Sequence, residues 1–76
     1  MTLKPQDVKK KNWKLGRYIR KIRKGKGLTQ EQLAEKIGTS TPWIGHIETG
    51  REVPNLQMLQ KIAHALGVKV KELIPY

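Results

Sequence analysis

Apolar residues along this chain recur three and four apart and nowhere alternate over the length of a strand, so the pattern predicts helices throughout. Leu15, Ile19 and Ile22, flanked by Tyr18, form one stripe of a first helix expected from near Asn12 to Gly25 or Gly27. Leu33, Ala34 and Ile37 face inward from a second helix, with Thr29 as its N-cap and Gln32 as the capping-box partner. Ser40 caps a third helix, whose inward residues are Ile44 and Ile47. Asn55 caps a fourth that carries Leu56, Leu59, Ile62, Ala63 and Leu66 and is closed by Gly67; Val70, Leu73 and Ile74 make a short fifth. Pro5, Pro54 and Pro75 stand at element edges, where a missing amide does no harm. The expected fold class is all-α, a compact domain of five helices.

Only Gly38-Thr39-Ser40 separates the second helix from the third. Two helices joined so tightly cannot both lie flat on one core. Ala34 is small where they would meet at a steep angle, and Gly38 suits the left-handed conformation of a sharp turn. At about 100° per residue, Ile44 and Ile47 point one way while Pro42, Gly45, His46 and Thr49 point the other, with Thr41 and Trp43 on the flanks. The outer face of the third helix is thus held away from the core.

Charge says what such a face is for. Of the sixteen Lys and Arg, eleven lie in residues 1–27 against the single acid Asp7, whereas residues 28–76 hold five of each sign. The whole excess of +10 therefore sits in the first third of the chain. Such crowding repels itself unless a polyanion answers it, which points to a nucleic acid or an anionic membrane. Residues 1–11 are expected as a flexible basic arm preceding a domain over 12–76. The lysines at 9–11 read either as a solvated face or as an arm tracking DNA.

Composition excludes several classes of function. A chain of 76 residues is one small domain, able to bury only about 60 % of its unfolded surface. Without cysteine there is no disulfide framework, thiolate metal site or thiol nucleophile. No apolar run approaches the roughly 18 residues of a membrane span, and Met1 to Asn12 lacks the apolar stretch of a signal peptide, so a soluble, cytoplasmic protein is expected. His46 and His64 are far apart, and no carboxylate cluster or nucleophile motif accompanies them. Gly25-Lys26-Gly27 follows a helix instead of a strand and does not make a phosphate-binding loop. No enzyme activity, metal, cofactor or small-molecule ligand is implied.

The set "IRKIRKGKGL", "LTQEQLAEKIGTS", "IETGREVPNLQMLQKIAHALGV" and "KELI", in that order, resembles the helix-turn-helix DNA-binding domains of phage repressors and Cro over roughly Leu15 to Ile74. The resemblance implies a compact repressor-like domain with a central helix-turn-helix, whose third helix, about Thr41 to Thr49, enters the major groove of double-stranded DNA. It implies that Thr29 and Gln30 meet a phosphate at the positive end of the second helix. Ser40, Thr41, Pro42, Trp43, Gly45 and His46 would occupy the reading positions, with Arg51 and the amides around Asn55 on the backbone beyond. Arg23 and Glu48 match a pair that in relatives forms a salt bridge and fixes the orientation of the third helix. The outer face departs from the commoner pattern in its poverty of Arg, Gln and Asn. Trp43 reads either as a cover for the second helix or as a thymine-methyl contact, and His46 either as solvated surface or as a donor to DNA. Trp13 is expected to pack under the basic tail.

The resulting expectation is a sequence-specific transcriptional regulator acting as a homodimer, its protomers paired through Val70, Leu73, Ile74 and Tyr76. The alternative on the same fold is a protein-interaction module, an antitoxin or a bridging coactivator, whose basic third meets an acidic partner.

Overall fold

A computed structural model describes residues 5–74, with side chains from Trp13 onward. Helix α1 spans Pro5–Gly25, α2 Gln30–Ile37, α3 Thr41–Glu48, α4 Leu56–Leu66 and α5 Val70–Leu73. The first helix begins well before Asn12, so residues 5–11 of the expected flexible arm are helical. Pro5 stands at the first helical position, where its fixed φ suits the helix, and the residues after it are mostly good helix formers. They carry no apolar repeat, which hides the helix from a reading by periodicity.

The remaining helix starts lie where the caps predict. Thr29 Oγ1 accepts the Gln32 amide at 3.0 Å while Gln32 Oε1 accepts the Thr29 amide at 2.9 Å, closing the capping box. Ser40 Oγ accepts the Trp43 amide at 3.2 Å, and Asn55 Oδ1 the Met58 amide at 2.8 Å. Gly38 ends α2 at φ 73°, in the left-handed region that the short turn requires.

The core is a single cluster to which every helix contributes. Ile19, Leu33, Ile44, Ile47, Ile62 and Leu73 are its fully buried side chains. Helix α2 packs against α3 and α4, α1 against α3 and α5, and α4 against α5. Two expectations are corrected here. Leu56 is 64 % exposed, because it stands on the first turn of α4, ahead of Met58, where the core begins. Leu73, expected as a dimer contact, is wholly buried in the protomer's own core and has no surface to offer a partner. Val70 also packs against that core, Ile74 is 38 % exposed, and Tyr76 lies outside the described residues.

Candidate nucleic-acid interface

The turn at Gly38 and the caps at Thr29, Ser40 and Asn55 bring three helix starts toward the outer side of α3. Each start leaves backbone amides without intrahelical partners and carries the positive end of a helix dipole. The ends differ in quality. Helix α2 carries Glu31 in its first turn, which opposes an anion there, whereas α4 has no acid in its first turn and has Arg51 in the loop before it. Pro42 removes one amide from the start of α3.

Thr41, Pro42, His46 and Thr49 are exposed on the outer face of α3, and Gly45 is half-buried among them. Trp43 is half-buried and packs against the core, so much of its ring is occupied within the protomer. Thr49 Oγ1 donates to the Gly45 carbonyl at 2.9 Å, and the amides of Arg51 and Glu52 both donate to the His46 carbonyl, which closes the end of the helix.

The orientation of α3 is set from beneath. Arg23 on α1 donates through Nε to Glu48 Oε2 at 2.6 Å and through Nη2 to Glu48 Oε1 at 3.0 Å. Both residues are buried. Arg23 Nη1 donates to the Leu28 carbonyl at 2.6 Å, and Gln30 Nε2 donates to Glu48 Oε1 at 3.1 Å. One carboxylate thereby joins α1, the start of α2 and the end of α3. Two charges withdrawn from water need such complete satisfaction, and among the described residues no buried side-chain polar atom lacks a partner. Beside the pair, α1 crosses the last turn of α3 at Gly16, where a Cβ would overlap the Ile47 carbonyl oxygen and stand 2.8 Å from that of Glu48. Beyond α3, Gly50 passes the Trp13 backbone, whose Cα would lie 3.1 Å from a Cβ at that position. Trp13 itself is 49 % exposed and not packed away as expected, and the Arg17 guanidinium carbon lies 4.4 Å from its ring centre.

The expected site residues thus form one surface, with Thr29, Ser40 and Asn55 committed as caps and Gln30 turned partly inward to Glu48. Sequence reasoning missed the Gln30–Glu48 bond, the third Arg23 bond to Leu28 and the crossing at Gly16. No local spacing signals them, because each depends on how separate elements are placed. Among the described residues, no helix is long and apolar enough to cross a membrane, and no group of three or more His, Asp or Glu is placed to hold a metal ion.

Residues 19–73 match the family model HTH_3, Helix-turn-helix. The chain is 42% identical over 64 residues to multiprotein-bridging factor 1 of Candida albicans, covering 84% of this chain and 42% of that protein. It therefore spans less than half the length of that relative. It is also 42% identical over 60 residues to the uncharacterized HTH-type transcriptional regulator YazB of Bacillus subtilis, covering 79% of this chain and 87% of that one. Among solved structures it is similar to the restriction-modification controller protein C.AhdI from Aeromonas hydrophila, with a TM-score of 0.79 and 34% identity over 90% of this chain and 97% of that one.

Proposed function

The chain belongs to the helix-turn-helix family HTH_3, and from that membership and the geometry of α3 we propose that it is a cytoplasmic transcriptional regulator that binds double-stranded DNA with α3 in the major groove. The observation that carries this reading is the anchoring of α3 by the Arg23–Glu48–Gln30 network, which leaves Thr41, Pro42, Gly45, His46 and Thr49 facing outward. Those residues face base edges in this reading. The amides at the starts of α2 and α4, with Arg51, hold phosphates on either side, and Gln30 uses its second Nε2 hydrogen for the backbone. A face with so few polar readers discriminates poorly in a single half-site, so the regulator works as a homodimer on two half-sites about 34 Å apart. Val70, Ile74 and Tyr76 remain as dimer contacts once Leu73 is set aside.

Selection of bound duplexes from a random pool, followed by a salt titration, tests the reading. The expected result is an enriched two-fold motif whose affinity falls linearly with log salt. No enriched motif and no salt-dependent affinity would overturn it. The second reading, a bridging module, is favoured by the identity with multiprotein-bridging factor 1 and by the exposed Val53 and Leu56, apolar side chains beside the outer surface. It predicts a domain that binds a protein partner while showing no preference among duplexes.

A further inference from the structure

Helix α1 carries more charge than its packing uses. Its inner side turns Leu15, Gly16, Ile19 and Arg23 to the core. Its opposite side exposes Lys14, Arg17, Arg20, Lys21 and Lys24. Lys14, Arg17, Lys21 and Lys24 follow one another at three and four residues, a stripe about 15 Å long at 1.5 Å per residue. Like charges at these spacings destabilise a helix by roughly 0.2–0.5 kcal/mol per pair. Between Trp13 and Gly27 no acid relieves them. Glu72 lines the indentation next to Lys21 and Lys26, yet it accepts the Lys69 amide, and Arg23–Glu48 is the only ion pair among the described residues.

The placement of this stripe is as informative as its charge. Helices α1 and α3 meet through their inner sides, at Gly16 and at the Arg23–Glu48 pair. Their outer sides therefore point away from each other. A duplex lying against Thr41 and His46 does not reach Lys14 or Lys24 on the far side.

We propose that the outer side of α1 is a second nucleic-acid surface, which holds the backbone of another DNA duplex without reading its sequence. The partner is argued from charge density and from what the surface lacks. About 15 Å of duplex carries roughly nine phosphates, enough to neutralise every cation of the stripe. An acidic peptide needs an apolar seat as well, and this side offers little. The Trp13 ring is already covered by Arg17, and Tyr18 is half-buried. The consequence is a domain that bridges two duplexes, one specific on α3 and one nonspecific on α1. That consequence rests on the reading of α3 given above.

A capture experiment with two labels tests it. A biotinylated duplex carrying the selected site is immobilised, the full chain is added, and an unrelated fluorescent duplex is offered. Wild type is expected to retain the second duplex. The variant Lys14→Gln/Lys21→Gln/Lys24→Gln is expected to bind the immobilised duplex and release the fluorescent one. The log-log salt slope of second-duplex capture should be flatter by about 0.9 for each lysine removed. A circular dichroism spectrum matching wild type establishes that the variant is folded. Wild type that binds the immobilised duplex yet captures no other overturns the proposal and leaves the reading of α3 standing. Equal capture by variant and wild type also overturns it, since bridging then comes from two α3 surfaces of a dimer. Retention of polyglutamate in place of the fluorescent duplex overturns it in favour of an acidic protein partner. A chain that binds neither duplex overturns both readings.

Discussion

Glu48 is the residue on which three elements converge, and its loss has two separable effects. In Glu48→Ala the buried Arg23 keeps its bond to Leu28 but loses the carboxylate, and an uncompensated buried charge costs about 3 kcal/mol. Urea denaturation followed by circular dichroism should show a midpoint lowered to match. The paired change Arg23→Met/Glu48→Leu removes both charges together and should recover most of that stability, while DNA affinity stays low because α3 is no longer held at its angle. Recovery of affinity along with stability would show that the pair orients nothing. Gly45 gives the opposite signature. A methyl group there would meet only Gln30 Nε2, at 4.0 Å, so Gly45→Ala should stabilise the helix by about 1 kcal/mol. If the bare backbone lies close to DNA, the same change weakens binding, and a variant both more stable and equally tight would remove that role from Gly45.

Among the elements, the helix starts were legible because a cap is local: Thr29, Ser40 and Asn55 each bond an amide three residues on, a relation visible in spacing alone. The amino-terminal extent of α1 was not legible, since residues 5–11 are helical without an apolar repeat. The opposing charges of Arg23 and Glu48 became a pair only through resemblance. Gln30–Glu48 and Gly16 were invisible because they depend on crossing angles between helices distant in sequence. Gly16 now yields the sharpest statement at this scale. Gly16→Ala places a methyl group into the carbonyls of Ile47 and Glu48, and backbone cannot rotate aside as a side chain does. The two helices must separate, at a cost of about 2 kcal/mol. Calorimetry should record a lower melting temperature, whereas Gly25→Ala, with open space around it, should not. An undisturbed transition in Gly16→Ala would mean that the crossing is looser than described.

For the whole molecule, electrostatics separates the fold from its partner. The excess charge lies ahead of Leu28, and the described core begins at Leu15, so deleting residues 1–11 removes Lys4, Lys9, Lys10 and Lys11 while sparing the core. DNA binding by the shortened chain should show a salt slope flatter by up to about 0.9 for each phosphate that the deleted lysines neutralised, with the same preferred sequence. A slope identical to that of the full chain would assign those lysines to solvent. The anchoring of α3 has a consequence for the history of such a chain. The groups that fix its angle, Arg23, Gln30, Glu48 and the bare Gly16, are all distinct from the outward Thr41, Pro42, Gly45 and His46. Support and message are written in different letters, so new operators can be acquired by rewriting the outward positions while the scaffold is inherited unchanged.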